Sequence, residues 1–168
     1  MRFPEAPEQL RGQIQNVLEQ GTEVGLRCSI ISGPTHEDAM EAAQALSQGI
    51  VPDFDDRASE ERFANQSDAV SINALHRKDA SRGPMECLWS GLVLSHGPAA
   101  IALVGSPTEI ASAIVNYKKI GISQFILSGW PKLESMVFFS REILPLIRER
   151  EDPVSSTVGL VPAIGQTS

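Results

Sequence analysis

Two polar residues on one predicted strand are the first candidates for chemistry. Residues 24–32 alternate as a half-buried strand does, so that Arg27 and Ser29 share one face. The opposite face carries Val24, Leu26, Cys28 and Ile30. If helices cover that apolar face, Arg27 and Ser29 point inward. An inward arginine is costly to bury unless it binds an anion or a carboxylate, so Arg27 indicates either an anion site or a structural salt bridge.

The other candidates carry less specific signals. The turn at 105–109 indicates either a phosphate cradle at a helix N-terminus or an ordinary capping box. Trp130 directly follows a predicted strand, where barrel active sites lie, or else it packs over the end of the sheet. The acidic run around Asp53 lacks the spacing of a calcium loop, and the three histidines lack zinc spacing. We therefore predict no metal site.

Periodicity and capping signals predict the elements that position these residues. Helices are predicted at 7–20, 35–47, 107–120 and 133–148, and strands at 24–32, 101–104 and 124–128. Thr35 caps the second helix, with Asp38 at capping-box spacing. In the last helix Pro145 predicts a kink. The buried stripe of that helix is expected to consist of Leu133, Met136, Val137, Ser140, Ile143, Leu144 and Ile147.

Strands that alternate with helices predict parallel strands joined by right-handed crossovers, an α/β fold. A closed barrel of this type has eight strands, whereas this chain of 168 residues shows three strand–helix units. The inner face is expected to include Ile101, Leu103, Phe125 and Leu127. Residues 49–86 are polar and rich in helix breakers, which predicts a mobile insertion, and 151–168 are predicted to be a disordered tail.

Charge and composition argue against several classes of function. The formal net charge is −7 without a cluster of Lys or Arg, which disfavours nucleic acid or an anionic membrane as the main partner. No stretch reaches the roughly 20 apolar residues of a membrane span, and the N-terminus lacks the pattern of a signal peptide. Two cysteines without a secretory signal indicate reduced thiols, so the expected location is cytoplasmic.

Several stretches resemble the C-terminal part of the alkanesulfonate monooxygenases, which belong to the bacterial luciferase-like, flavin-dependent monooxygenases. The stretches are Glu5 to Leu10, Leu88 to Gly91, Ala102 to Pro107 and Gly121 to Glu134. The resemblance implies a partial TIM (β/α)8 barrel. Residues 1–150 would supply its strands six, seven and eight together with the mobile insertion at 49–86.

The resemblance also implies an activity. An enzyme of this type uses reduced FMN, supplied by a separate NAD(P)H-dependent flavin reductase, to convert an organosulfonate to an aldehyde and sulfite. Most flavin contacts of such barrels lie in the N-terminal half, which this chain does not contain, so no cofactor-binding residue is identified. The chain is expected to be incomplete by itself, and to act as a homo-oligomer or with a complementing N-terminal half.

Site residues carry over from the family one at a time. Arg27 matches an arginine of the sixth strand, while Ser29 stands where the family has a histidine and Trp130 where it has a tyrosine. These three are the expected catalytic residues. A hydroxyl does not serve as an imidazole acid or base near neutral pH, and an indole N–H donates a hydrogen bond but accepts none. A further substrate-binding arginine on the insertion matches Arg77 or Arg82.

Two alternatives to this function stay open at the level of sequence. One is a non-catalytic fragment or interaction module that retains the C-terminal part of the barrel. The other is a member of the same superfamily that oxidises a different substrate, because two of the groups that handle protons in the family are changed here, at Ser29 and Trp130.

Overall fold

Four strands and five α-helices form the part of the chain that the structure, a computed structural model, describes: residues 1–48, 87–93 and 100–151. The helices are α1 (Pro7–Glu19), α2 (His36–Gln48), α3 (Pro107–Lys119), α4 (Lys132–Phe138) and α5 (Leu144–Glu151). The strands are β1 (Val24–Ser32), β2 (Leu88–Trp89), β3 (Ala102–Gly105) and β4 (Ile122–Gly129). The predicted insertion at 49–86, with Arg77 and Arg82, lies outside the described residues, as do residues 152–168 of the predicted tail.

The predicted helix starts are confirmed. The Thr35 hydroxyl accepts the backbone N–H of Asp38, and the Asp38 carboxylate accepts the backbone N–H of Thr35. Ser106 and Glu109 form the same reciprocal capping box at the start of α3, with a proline at the first helical position. Gly21, at φ +74°, ends α1 in a conformation that favours glycine. Local side-chain chemistry therefore fixes where these helices begin and end.

β1 is one of the two interior strands of the sheet, whose order is β2-β3-β1-β4, and we call it the central strand because both of its neighbours pair with it in parallel. β1 pairs in parallel with β3 over Ser29–Ser32 and with β4 from Val24 to Ile30, while the short β2 pairs antiparallel with β3. The parallel pairing is as predicted, but β2 was not expected. Consecutive barrel strands lie side by side in sequence order, whereas here β3 and β4 both pair with β1. The assignment to strands six, seven and eight therefore stays a prediction.

The strand order also places helices on both faces of the sheet. The connection from β1 to β3 leads to the neighbour of β1 on one side. The connection from β3 to β4 leads back across β1 to its neighbour on the other side. Right-handed connections therefore require α2 and α3 to lie on opposite faces. Packing agrees: α2 contacts Ile31 through Ala39 and Ala43, while α1 and α3 pack against the other side of β1. We call these the Arg27 face (Arg27, Ser29, Ile31) and the α3 face (Leu26, Cys28, Ile30).

The expected inner face is wrong for three of its residues. Register pairs Leu103 with Ile30 and Leu127 with Cys28, so that Leu103, Phe125 and Leu127 belong with the helix-packed core of the α3 face. The opposite face carries Ala102, Val104, Ile126 and Ser128 instead. Strand alternation itself holds, since Cys28 is buried against the helices while Arg27, its neighbour, is exposed.

The last predicted helix is divided, and its buried stripe differs from the expectation. A π turn, Phe139–Ile143, lies directly before the segment that contains Pro145 and takes the place of a kinked α-helix. Leu133 is 74% exposed and Val137 is 40% exposed, whereas Phe138 and Phe139 pack against the core beside the buried Ile143 and Ile147. The extra residue of a π turn rotates the preceding helix by roughly 100°. The stripe before it therefore shifts by one position.

Within 1–48, 87–93 and 100–151, none of the helices has the length and apolar character needed to traverse a bilayer.

Candidate functional site

The Arg27 guanidinium lies at the surface of the central strand. Arg27 is exposed, unlike its buried neighbours Leu26 and Cys28, and it has no ion-pair partner within the described part of the chain. Its lateral neighbour on β4 is Ile126, which is 51% exposed. An exposed cation beside an exposed aliphatic side chain presents both a charge and an apolar surface to a ligand. The salt-bridge alternative for Arg27 finds no support among these residues.

Two serines lie next to this cation on the same face. Ser29 is 2% exposed and its register partner on β4 is Ser128, which is exposed. Their Oγ atoms are 3.0 Å apart, and either hydroxyl could be the donor. The hydrogen bond joins two strands that are distant in sequence. Ser29, a predicted catalytic residue, is therefore buried and hydrogen-bonded to an exposed serine that the sequence did not point to as a site residue.

The N-terminal segment forms backbone hydrogen bonds with β1 at Gly25 and Arg27. The Arg2 backbone N–H donates to Gly25 at 2.7 Å, and the Arg27 backbone N–H donates to Arg2 at 2.8 Å, so that Arg2 extends the β3 side of the sheet. The side chain of Met1 lies against Gly25, since a Cβ there would come 3.1 Å from its sulfur atom. The backbone of Arg27 is thus held on both sides.

Trp130 directly follows β4 and so lies at the carboxyl end of the parallel strands. Its side chain is partly buried and packs with the cluster formed by Ile31, Ala39, Ala43, Ala102 and Val104. This cluster covers the carboxyl end of the Arg27 face. Trp130 therefore has a packing role, and its participation in chemistry stays a prediction.

The interior of the α3 face contains titratable groups that do not reach the candidate site. Cys28 is buried, and burial together with the nearby Cys87 raises the pKa of its thiol to about 12. A thiol with this pKa stays protonated near neutral pH and is not a nucleophile. Tyr117 is fully buried, and its hydroxyl donates to the Glu5 carbonyl at 2.7 Å. These groups stabilise the core.

The turn before α3 is an occupied capping box. Glu109 Oε2 accepts the Ser106 backbone N–H and the Ser106 hydroxyl, each at 2.7 Å. Partial burial acts to raise the pKa of Glu109, but the Ser106 hydrogen bonds and the His36 imidazole lower it overall. His36 Nδ1 lies 3.2 Å from Glu109 Oε1 and links the starts of α2 and α3. The phosphate-cradle alternative for 105–109 is therefore disfavoured, because a carboxylate of the chain fills that position.

The described residues do not offer a site for the phosphate of FMN. A flavin phosphate requires backbone N–H groups or cations that are still available. At the carboxyl ends of β1 and β3, the N–H groups of Thr35 and Ser106 already bind Asp38 and Glu109. This edge does not fit the phosphate of FMN, so we assign no cofactor-binding residue. The same described ranges contain no group of three or more His, Cys, Asp or Glu able to hold a metal ion.

Sequence reasoning placed Arg27 and Ser29 on one face, and the structure brings Ser128 and Ile126 beside them. Alternation on β4 alone assigns Ile126 and Ser128 to a common face. Only the pairing of β4 with β1, and its register, brings that face next to Arg27. Since β1 and β4 are not consecutive strands, the sequence carried no direct signal for this pairing. Arg77 and Arg82, the predicted substrate-binding residues, lie outside the described residues.

Comparison with solved structures shows which folds this chain resembles. No protein-family model matches the chain. Riboflavin lyase RcaE, solved with a modified FMN and its substrate riboflavin, superposes with a TM-score of 0.59 at 23% identity, over 89% of this chain and 38% of RcaE. DmoA from Hyphomicrobium sulfonivorans superposes with a TM-score of 0.58 at 17% identity, over 86% of this chain and 35% of DmoA.

RcaE and DmoA are similar to this chain in fold. The chain spans less than two fifths of the length of either one. At these identities the likeness is one of fold alone.

Proposed function

We propose that this chain forms the substrate-binding part of a luciferase-like, flavin-dependent monooxygenase that acts on an organosulfonate. The observation that carries the proposal is the exposed guanidinium of Arg27 on the central strand of the sheet, which has no ion-pair partner among the described residues. A sulfonate is a permanent anion at neutral pH, and arginine binds such oxyanions through paired N–H donors. The fold shared with RcaE and DmoA supports the flavin-dependent class.

The proposed reaction breaks the bond between carbon and sulfur. An organosulfonate, dioxygen and reduced FMN give an aldehyde, hydrogen sulfite, oxidised FMN and water, so that one oxygen atom reaches the aldehyde and the other reaches water. FMN supplies the redox chemistry when it is bound. Arg27 binds the sulfonate and fixes its orientation. Ser29 keeps its hydroxyl proton at neutral pH, so it holds a hydrogen bond rather than transferring a proton as an imidazole does.

The proposal includes further components that the described residues do not supply. We assign the flavin site to polypeptide outside the described residues, either a complementing N-terminal half of the barrel or another copy of the chain. Reduced FMN is provided by a separate NAD(P)H-dependent reductase, and the expected location of the system is the cytoplasm. A further arginine of the substrate site is Arg77 or Arg82.

The first test is anion binding by the full chain. Methanesulfonate and butanesulfonate are titrated into the ¹⁵N-labelled protein, and binding is followed at backbone amide signals of β1 and β4 that wild type and variants share, such as those of Cys28 and Ile126. Arg27→Ala should weaken sulfonate binding by ~1.5–3 kcal/mol, the range for a hydrogen bond to a charged group. Arg11→Ala is the matched control, because Arg11 is an exposed arginine on α1 at the opposite face. Equal sulfonate affinity of the two variants would contradict the proposal.

The second test concerns turnover. The full chain with reduced FMN and butanesulfonate should release no sulfite alone, and should release it when a polypeptide carrying the first five strands of such a barrel is added. Sulfite is measured directly, and Arg27→Ala in the complemented mixture should raise KM. If the chain binds sulfonate but complementation restores neither flavin binding nor sulfite release, the non-catalytic interaction module becomes the better description.

A further inference from the structure

We propose that Ser128 is a second ligand of the substrate anion, held in place by Ser29. This inference rests on the proposed function, since it concerns the anion that Arg27 binds. Ser128 is not one of the site residues expected from the sequence or from the family resemblance. It would act as a substrate-binding residue, and Ser29 as a positioning residue.

Geometry places Ser128 within reach of the same anion. In the parallel register Arg27 lies opposite Ile126, and Ser29 lies opposite Ser128. Ser128 therefore lies on the strand next to that of Arg27 and two residues further along. The Cα atoms of Arg27 and Ser128 are about 8 Å apart. A guanidinium at the end of a long side chain covers most of that distance. An oxyanion between the two groups can accept from the Arg27 guanidinium with one oxygen and from the Ser128 hydroxyl with another.

The serine pair explains how the Ser128 proton becomes available. A hydroxyl has one proton to donate and can accept two hydrogen bonds. If Ser29 donates to Ser128 across their 3.0 Å contact, the proton of Ser128 is left to point out of the exposed face. An anion at that face favours this direction of donation, because the hydrogen bond accepted by Ser128 polarises the one that it donates. Burial of Ser29 keeps its hydroxyl in position.

The neighbouring side chain indicates the chemical class of the anion. Ile126 lies between Gln124 and Ser128 on this face of β4, and is 51% exposed. An apolar substituent on the anion would cover Ile126, whereas a fully hydrated anion such as sulfate would leave it in water. The face therefore fits an oxyanion with an aliphatic chain, and butanesulfonate should bind more tightly than sulfate.

The test uses three variants of the full chain. Ser128→Ala removes the hydroxyl, Ser128→Thr keeps it, and Ser123→Ala is the matched control, an exposed serine on the same strand. Butanesulfonate affinity is measured by titration calorimetry and by ¹⁵N shifts. Ser128→Ala should weaken binding about tenfold, which corresponds to ~1.4 kcal/mol, while Ser128→Thr should retain most of the affinity and Ser123→Ala should be unchanged. Amide spectra of the free variants check that β4 is intact.

Ser29 is tested as a positioning residue by a double-mutant cycle. Ser29→Ala should weaken butanesulfonate binding in the native background and have no further effect in Ser128→Ala, because its contribution passes through the Ser128 hydroxyl. A purely structural role of Ser29 would give additive losses, which would overturn the positioning role.

The outcomes separate this inference from the function on which it rests. Losses in both Arg27→Ala and Ser128→Ala support both proposals. A loss in Arg27→Ala alone overturns the role of Ser128 and leaves the proposed function standing. A loss in Ser128→Ala alone supports Ser128 as an anion ligand and overturns the role of Arg27. Wild-type affinity in both variants overturns both.

Discussion

The buried hydroxyl of Tyr117 connects α3 to the segment that supports Arg27, so its removal should weaken the fold measurably. Tyr117 is 0% exposed and donates to the Glu5 carbonyl at 2.7 Å. The segment before Glu5 includes Arg2, whose backbone pairs with Gly25 and Arg27. Burial, followed by the nearby thiols and carboxylates, raises the pKa of Tyr117 well above its usual range. The hydroxyl is therefore a donor at any pH near neutrality.

The magnitude for Tyr117→Phe follows from what is lost and what is kept. Phenylalanine retains the ring, so no large cavity forms and only one oxygen atom is removed. The loss is one hydrogen bond, worth about 0.5–1.5 kcal/mol net, together with part of the cost of leaving a buried carbonyl without this donor. We expect the free energy of unfolding to fall by ~1–2 kcal/mol. For a domain of this size each kcal/mol lowers Tm by roughly 2–4 °C.

Urea unfolding followed by tryptophan fluorescence measures this change, at chain concentrations low enough to suppress association. The slope m should stay constant, because the surface exposed on unfolding is unchanged. Ser140→Ala is the control: Ser140 is exposed, and its hydroxyl donates to the Val137 carbonyl within the helix. It should shift the free energy by less than about 0.5 kcal/mol. A Tyr117→Phe shift no larger than that of Ser140→Ala would refute the reasoning.

Capping and edge chemistry give three further expectations. Ser106→Ala should lower the free energy of unfolding by about 1 kcal/mol, measured in urea, because the Ser106 hydroxyl caps α3. Since the pKa of Glu109 is lowered in the folded state from 4.5, its stabilising contribution is fully present above that pH and is lost as the pH falls through the lowered pKa. Glu109→Gln should therefore flatten the acid side of the stability curve. Ile126→Lys should reduce self-association in sedimentation velocity, because β4 is an uncharged edge strand of the sheet formed by the described residues, and a lysine there opposes strand addition. Unchanged association would contradict this.

Elements with local causes could be predicted from the sequence. The starts of α2 and α3 follow from Thr35 with Asp38 and from Ser106 with Glu109, pairs separated by three residues. The burial of Cys28 and the exposure of Arg27 follow from alternation on one strand. Each of these depends on interactions within a few residues, which the sequence displays directly.

Features with long-range causes could not be predicted. The π turn before Pro145 changes the phase of the helix, so that Phe138 and Phe139 replace Leu133 and Val137 against the core. A periodicity that assumes 3.6 residues per turn throughout cannot anticipate that shift. Ile126 and Ser128 lie beside Arg27 and Ser29 because β4 pairs with β1 rather than with β3. Tertiary packing determines this pairing.

The central position of β1 has a consequence for synthesis on the ribosome. β1 pairs with β4 through residues about 100 positions further along the chain, such as Val24 with Ile122. At about 5–20 residues per second, β1 emerges roughly 5–20 s before this partner exists. For that interval Leu26, Cys28 and Ile30 have no complete core to enter. The nascent chain therefore exposes the apolar face of β1 during that interval, and we expect it to bind chaperones that recognise extended hydrophobic segments.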